Sequence, residues 1–475
     1  MRLLFIALIL IISVNTALAQ DSVKISGNIQ HPLSDSIEIS YNSNRIAYYP
    51  QEYFARLDKK GNFSLVFPVP RGIYTEATIK HGSKLAEMIL QAGDSLVIAI
   101  NVAHFDSTIH YKGRGSEVQN FVARHTIERG LMNSYSVKLK ERLHEEPADF
   151  LKDIAQENKT ELDFLDKNKT GIPVSFIKYW TAYFRYYNYF FIQQYPQIHE
   201  LVIRRKYTDT IPEINYSVVK AMPYAFNDTL LQVAPYLLYL TGVFDIKLMA
   251  SGYNYFRNDT LKMRELEDSV NKLAYKLLPD RSAEYFIAQN IYGRAKNQQL
   301  QRTENQFAAF KKHWPKSEYL PLVERQVSVT VRLAPGKPAP DIDIITPDGK
   351  NMKLSDLKGK VVYLSFWANW CKQCVGEMIS SQKIKTLTKN EPLEFVYVSI
   401  DNDTTADNAI IKKYKISGIF THPAGEWNAK ETELYGVQSL PAYFLIDKEG
   451  KFAVQNAVTP MHATELVLQI ERLLK

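Results

Sequence analysis

The spacing of apolar residues changes twice along this chain of 475 residues, and each spacing suits a different kind of fold. Residues 20–115 alternate apolar and polar side chains, as in Phe63, Leu65 and Phe67, which is the period of strands with one buried face. Residues 116–333 follow helical spacing, and residues 334–475 alternate strand-like and helix-like runs. The sequence therefore predicts an N-terminal β-sandwich, an all-α middle domain and a C-terminal α/β domain with a mixed sheet.

Short polar or proline-containing stretches separate these three predicted domains, 20–115, 116–333 and 334–475. Ser116 and Gln119 have the spacing of a capping box, so we expect the first helix to begin there. Residues 333–340 contain three prolines, too many for a helix, and predict a stiff extended connector. Helically spaced aromatic residues in the middle domain are interpreted as a packing core: Tyr179, Trp180, Tyr183, Phe184, Tyr187, Phe190 and Phe191.

The first nineteen residues have the pattern of an export signal. Arg2 precedes an apolar run at 3–14, and Ala17 and Ala19 form a small-x-small cleavage site. The run is shorter than the roughly 20 residues that span a bilayer, which favours a signal peptide (1–19) over a membrane anchor. No cysteine lies near the cleavage site to accept a lipid. We therefore expect a soluble, unlipidated protein in the periplasm, with no membrane span after cleavage.

The charge balance and the spacing of histidines argue against nucleic-acid binding and against a metal site. The formal net charge of +7 is the balance of 58 basic and 51 acidic residues in a long chain, so the charge gives no argument for nucleic-acid binding. The 10 histidines show no paired helical spacing suited to a metal ion. We therefore expect neither a nucleic-acid partner, nor a metal, nor another cofactor.

The chemistry is expected at the two cysteines of the chain, Cys371 and Cys374. The apolar run at 361–367 predicts a buried strand, and the cysteines follow where a helix must begin. Backbone N–H groups and the dipole at a helix start stabilise a thiolate, and Lys372 adds a positive charge, so Cys371 is the predicted nucleophile. Cys374, one turn further on, is the predicted resolving thiol. The alternatives are a structural disulfide, half a zinc site or two buried free thiols, although so short a disulfide loop would constrain the unfolded chain little.

Residues 334–475 resemble the TlpA/ResA-like branch of the thioredoxin superfamily, which consists of exported thiol-disulfide oxidoreductases. The matching features are the Phe-Trp-Ala-Asn-Trp-Cys run at 366–371, the two cysteines, Glu377, and Gly-Val-Gln-Ser-Leu-Pro at 436–441. The resemblance implies a thioredoxin-like fold with a redox-active disulfide. It also implies a cis proline at Pro441 that faces the disulfide, and a substrate strand that pairs with the backbone of Leu440. Trp370, Leu440 and Pro441 are the expected substrate-binding residues.

Glu377 is the predicted proton acceptor for the resolving thiol. It lies three residues after Cys374 and so on nearly the same face of the expected helix. Thioredoxins use a buried aspartate on the preceding strand, but Ser365 occupies the matching position, which shifts the role to Glu377 as the resemblance implies. The alternative is a solvated first-turn glutamate that favours the helix dipole. Gln373, where many relatives have proline, leaves the redox potential open.

Together these features predict an exported oxidoreductase that reduces disulfides of envelope proteins and receives electrons from a membrane thiol donor. Residues 20–333 would be accessory modules, and they loosely resemble the uncharacterised β-sandwich and helical modules that precede such domains in Gram-negative bacteria. A peroxiredoxin-like peroxidase would need a Pro-x-x-x-Thr-x-x-Cys setting, which residues 365–374 lack. An envelope binding or scaffold protein with a subordinate C-terminal domain is the non-enzymatic alternative, and it leaves Trp370 and both cysteines unexplained.

Overall fold

The computed structural model describes residues 22–43, 45–47, 50–104, 109–199, 217–223, 225–250, 260–296, 300–345, 350–401, 403–423 and 425–475. The chain divides into two compact units, residues 1–287 and residues 288–475. The predicted signal peptide lies outside the described residues. Within the described ranges, no helix combines the length and the apolar character needed to cross a bilayer.

Eight strands open the first unit: β1 (Ser22–Gln30), β2 (Ser36–Asn42), β3 (Pro50–Arg56), β4 (Asn62–Pro68), β5 (Thr75–His81), β6 (Lys84–Leu90), β7 (Ser95–Asn101) and β8 (His110–Arg114). They form two four-stranded sheets with the orders β4-β1-β7-β8 and β3-β2-β5-β6. Alternate apolar residues of both sheets share one core, in which Ile25, Ile39, Ile79 and Ile98 are at most 1% exposed. The predicted N-terminal β-sandwich is confirmed.

Seven helices follow in the described residues: α1 (Ser116–Arg129), α2 (Met132–Arg142), α3 (Pro147–Asn168), α4 (Val174–Gln197), α5 (Ala234–Ala250), α6 (Thr260–Leu277) and α7 (Asp280–Lys296). Helix α1 begins at the predicted residue, but the capping-box interpretation is wrong. Gly115 precedes the helix in a left-handed conformation, and no side chain caps it. The Gln119 side chain instead exchanges two hydrogen bonds with the backbone of Ile89 in β6, at 3.2 and 2.6 Å.

The aromatic residues of α4 form a packing core, as predicted. Five of the seven are buried: Tyr179, Trp180, Tyr183, Phe184 and Phe191. The other two, Tyr187 and Phe190, are partly buried. The Tyr179 hydroxyl donates a hydrogen bond of 2.9 Å to the Glu76 carboxylate of β5. Desolvation by burial raises the pKa of Glu76 to about 7, because the charged form loses its hydration.

The second unit contains the end of α7, two further helices, and a seven-stranded sheet with its own helices. Its helices are α8 (Leu300–His313), α9 (Leu320–Arg332), α10 (Lys372–Leu387), α11 (Thr404–Tyr414), α12 (Lys430–Leu434) and α13 (Ala463–Leu474). Its strands are β9 (Asp343–Ile345), β10 (Asn351–Lys353), β11 (Val361–Trp367), β12 (Leu393–Ser399), β13 (Ile419–Thr421), β14 (Ala442–Ile446) and β15 (Phe452–Gln455). The sheet order is β10-β9-β13-β12-β11-β14-β15. Strand β11 is parallel to β12 and antiparallel to β14, so the sheet is mixed as predicted.

Strand β11 is buried on both faces along its whole length. Tyr363 and Trp367 pack on one face with residues of α10 and α13. Leu364 and Phe366 pack on the other face, in a core that includes Tyr435. Every residue of the predicted strand at 361–367 thus faces apolar neighbours, which explains why the run is continuously hydrophobic.

The proline-containing segment after α9 lies along the edge strand β15. The Gly336 N–H donates to the Phe452 carbonyl (2.7 Å), and the Phe452 N–H donates to the Lys337 carbonyl (2.9 Å). Leu333 is fully buried in the core beneath the sheet. The segment is extended, but it packs on the sheet rather than forming a free connector. The domain boundary at 333/334 remains a prediction, and α8 and α9 belong to the same compact unit as the sheet.

Candidate active site

The two cysteines are joined by a disulfide at the start of α10. The sulfur atoms are 2.00 Å apart, and the Cα atoms are 5.2 Å apart. Cys371 immediately precedes the first helical residue, and its Sγ accepts a hydrogen bond of 3.2 Å from the Cys374 N–H. Cys371 is partly exposed, whereas Cys374 is 1% exposed. Cys371 is therefore the member of the pair that an incoming molecule can reach.

The end of β11 sets the position of this disulfide. After Trp367 the chain leaves the sheet, and the Cys371 N–H donates to the Ala368 carbonyl (3.1 Å) in the turn that leads into α10. Ser365 lies between Tyr363 and Trp367 on the face that packs against α10, and it is 2% exposed. The position that carries a carboxylate in thioredoxins is thus a buried, uncharged hydroxyl here.

Glu377 is buried next to the redox pair. It is 2% exposed, one turn after Cys374, and its Oε2 accepts a hydrogen bond of 2.8 Å from the Met461 N–H. Desolvation, with a smaller contribution from the Glu377 charge, raises the pKa of Tyr443 above its usual range. The alternative of a solvated first-turn glutamate is therefore wrong. Proton transfer by Glu377 remains a prediction.

The loop before β14 contains a cis peptide bond between Leu440 and Pro441. Leu440 and Cys371 both pack against the same two apolar cores, one on each side of the sheet. Gln373, between the two cysteines, lines a cleft of about 430 Å³ together with Leu440 and Pro441. The structure therefore brings Gln373, one of the two residues between the cysteines in the disulfide ring, and the cis-proline loop to one cleft.

Trp370 is the exposed aromatic residue of the site, with 57% of its surface accessible. Its ring lies 6.3 Å from that of Trp427, which is 42% exposed. Sequence analysis missed Trp427, because the two tryptophans are far apart in the chain and no spacing connects them. Sequence analysis also missed Lys296 and Gln326, two cleft residues from α7 and α9.

The electrostatics of the site come from the helix start and from Lys372, which is exposed beside Cys371. An anion at Cys371 would face unpaired backbone N–H groups and the positive end of the α10 dipole. In the part of the chain that the structure describes, no three His, Cys, Asp or Glu side chains lie close enough together to hold a metal ion. The arrangement suits thiol-disulfide exchange at a single accessible sulfur.

Comparisons with known proteins fall on this same region. Residues 334–465 match the Redoxin family. Over 120 residues the chain is 36% identical to the thiol-disulfide oxidoreductase ResA of Bacillus thuringiensis. The matched residues are 25% of this chain and 68% of that protein. Over 119 residues it is 32% identical to ResA of Bacillus subtilis, covering 25% of this chain and 65% of the relative.

Two solved structures are similar over the same share of the chain. The thioredoxin domain of a thiol-disulfide oxidoreductase from Bacteroides vulgatus is 26% identical with a TM-score of 0.28, covering 30% of this chain and 99% of that one. A thiol:disulfide interchange protein from Bacteroides sp. is 25% identical with a TM-score of 0.27, covering 30% and 91%. The residues before 334 lie outside the family match.

Proposed function

This chain belongs to the ResA-like thiol-disulfide oxidoreductases of the thioredoxin superfamily, and from that premise we propose that it is exported and reduces disulfides of envelope proteins through Cys371 and Cys374. One observation carries the proposal. The two cysteines form a disulfide whose first sulfur is accessible at a helix start, while the second lies in the core.

Reduction proceeds in two exchanges. The Cys371 thiolate attacks one sulfur of the substrate disulfide, forms a mixed disulfide and releases the other substrate sulfur as a thiolate. The Cys374 thiol loses its proton and attacks Cys371, which releases the second substrate sulfur and leaves the Cys371–Cys374 disulfide. Two electrons pass to the substrate, and the protein ends in the oxidised form.

Three features of the site support this order of attack. The Cys374 N–H and the dipole of α10 stabilise negative charge on Cys371, which lowers the free energy of its thiolate relative to the thiol. Cys374 is too buried to meet a protein substrate before Cys371 does. The buried Glu377 carboxylate, one turn away, is the group we assign to take the Cys374 proton.

Substrate binding is assigned to the surfaces beside Cys371. Trp370 offers an exposed aromatic face. Pairing with an extended strand of the substrate is assigned to the backbone of Leu440, next to the cis bond. Pro441 lines the same cleft as Gln373, which lies between the two cysteines.

The sequence pattern at 1–19 supports the proposed export to the periplasm. Protein disulfides form in that oxidising compartment, so a reductase there must be re-reduced after each cycle. We assign that role to a membrane thiol donor, whose dithiol would pass two electrons to the Cys371–Cys374 disulfide and itself become a disulfide.

Trapping tests this function. In Cys374→Ala, the mixed disulfide on Cys371 has no intramolecular thiol to resolve it, so covalent adducts should accumulate. Because the chain has no other cysteine, every dithiothreitol-sensitive adduct must involve Cys371, and the Cys371→Ala, Cys374→Ala double variant gives the background. Non-reducing gels of envelope extracts, followed by mass spectrometry, identify the partners.

Cysteine-containing envelope proteins among the adducts would identify substrates, and a membrane thiol protein would identify the donor. If the single variant traps nothing beyond the double variant, the reductase function fails and the scaffold alternative gains support.

A further inference from the structure

The cleft beside the disulfide has a wall that does not come from the C-terminal sheet. The cleft is lined by Lys296 at the end of α7 and by Gln326 and Val329 of α9, together with Gln373 and the loop that leads to Pro441. All of these residues belong to the second compact unit. Two helices that precede the sheet in sequence are thus part of the surface that a substrate meets.

Helix α9 holds the cis-proline loop through a side-chain hydrogen bond. The Gln438 Nε2 donates to the Gln326 Oε1 at 2.9 Å, and the Tyr292 hydroxyl of α7 donates to the Gln438 Oε1 at 3.0 Å. Gln326 and Tyr292 are 6% and 5% exposed, so both partners are fixed by their own packing. Gln438 lies three residues before Pro441, and its position sets the path of the loop.

Two further contacts of α9 fix the same loop. The Arg332 Nη2 donates to the carbonyls of Glu433 and Leu434, at 3.1 and 3.0 Å, at the end of α12. Gly436 has a φ of +59°, and a Cβ atom there would lie 2.4 Å from the Val329 Cγ1. The loop therefore approaches α9 more closely than any other residue type would allow at this position.

The chemistry of the cleft lining indicates what it binds. Its side chains include several amides, which can both donate and accept hydrogen bonds along a peptide backbone: Gln326, Gln373, Gln438, Gln455 and Asn456. Among the described residues that line the cleft, Lys296 carries the single formal charge. An extended peptide segment fits such a lining, and an acidic residue on that segment is favoured over a basic one.

We infer that Gln326 and Lys296 determine substrate specificity. Gln326 is a positioning residue that holds the cis-proline loop through Gln438, and Lys296 selects an extended segment with an acidic rather than a basic residue beside its disulfide. The inference rests on the proposed reductase function and adds the substrate class to it.

Two symmetric peptide disulfides test the charge selection. They differ in one residue beside the cysteine, Glu in one and Lys in the other. Each turnover by the full-length protein gives two peptide thiols and the oxidised protein, which dithiothreitol reduces again while becoming oxidised itself, and the direct reaction of dithiothreitol with the peptide is subtracted. We divide the kcat/KM for the Glu peptide by that for the Lys peptide. This ratio should fall about threefold in Lys296→Gln and further in Lys296→Glu, as for a partly screened charge pair. High salt should reduce the ratio in the wild-type protein. An unchanged ratio in both variants overturns the role of Lys296.

Gln326→Ala tests the positioning role. Loss of one hydrogen bond to the loop should raise KM for both peptides about fivefold, with kcat and the alkylation rate of Cys371 unchanged. Gln438→Ala also loses the Tyr292 hydrogen bond and should raise KM at least as much. The double variant should show no loss beyond that of Gln438→Ala, because the Gln326–Gln438 bond is already absent there. Glu324→Ala on the same helix, where Glu324 pairs with Lys311 at 2.8 Å, is the matched control and should leave KM unchanged.

A fall in kcat without a change in KM, or additive effects of the two glutamine variants, overturns the positioning role. The neutral disulfide of 2-mercaptoethanol separates this inference from the proposed function. If the wild-type protein reduces neither this reagent nor the peptides, the reductase function fails. If it reduces them all without discrimination, the reductase function stands and only the specificity inference fails.

Discussion

Replacing Glu377 by Gln should slow the second exchange of the catalytic cycle and leave the first almost unchanged. The glutamine keeps an oxygen for the Met461 N–H, which donates to Glu377 at 2.8 Å, but it cannot accept a proton. Cys374, one turn away, is 1% exposed, so water has little access to its proton. General-base catalysis contributes on the order of 100-fold or more to such a step, which corresponds to about 3 kcal/mol of barrier. The thiolate of Cys371 depends on the helix start instead, so the first attack should change less than twofold.

Stopped-flow fluorescence can separate the two steps, because Trp370 lies directly beside Cys371. Reduced protein mixed with excess peptide disulfide should give a fast phase that scales with peptide concentration and a slower phase that does not. In Glu377→Gln only the slower phase should lengthen, and its rate should rise with pH as hydroxide replaces the missing base. Glu394→Gln, which removes a surface carboxylate 2.7 Å from Lys360, is the matched control. If the slow phase is unchanged in Glu377→Gln, Glu377 has only a structural role. If both phases slow equally, the variant has shifted the loop rather than only removed the general base.

Three other outcomes follow from the contacts described. In the reduced protein, iodoacetamide should label Cys371 faster than Cys374, and the pH dependence of labelling should give the Cys371 thiol a pKa well below the ordinary value of about 8.5. Equal labelling rates for the two thiols would contradict the assigned roles. Gly436→Ala should destabilise the second unit by on the order of 2 kcal/mol, through its φ of +59° and the clash with Val329, and adding Val329→Ala should recover part of the lost urea midpoint. Because the fold raises the pKa of Glu76 to about 7 from 4.5, its protonated form stabilises the first unit fully below pH 4.5 and progressively less as the pH rises to 7. Thermal midpoints at pH 4.5 and 7.5 should differ less in Glu76→Gln than in the wild-type protein, and an equal difference would exclude this group.

Local sequence signals predicted the elements that position the site. The run at 361–367 contains no polar residue except Ser365, and a strand buried on both faces requires that composition, so β11 has its predicted bounds. The helical spacing that begins at 116 is an equally local signal, and the first helix begins at that residue. Each of these features depends on residues within one or two turns of one another.

The features that sequence analysis missed depend on partners far away in the chain. Gln119 fits a capping-box pattern, but its amide pairs with the backbone of Ile89 on a neighbouring strand, which no helix-start pattern includes. Glu377 accepts a hydrogen bond from the backbone of Met461, which follows it in the chain only after four further strands. The contact of Gln326 with Gln438 joins a helix ahead of the sheet to a loop near its end. Such contacts depend on tertiary packing between distant segments, and the spacing of residues along the sequence does not predict them.

The buried position of Leu333 affects how this oxidoreductase domain could be moved between proteins. A recombination breakpoint at the prolines of 335–340 would remove α9, and with it Leu333 from the core that also contains Tyr435 and Phe452. The transplanted domain would also lose the Arg332 contacts that hold the end of α12. A portable segment therefore includes α9 and Leu333, and a fusion that omits them needs a replacement for Leu333 in the core beneath the sheet.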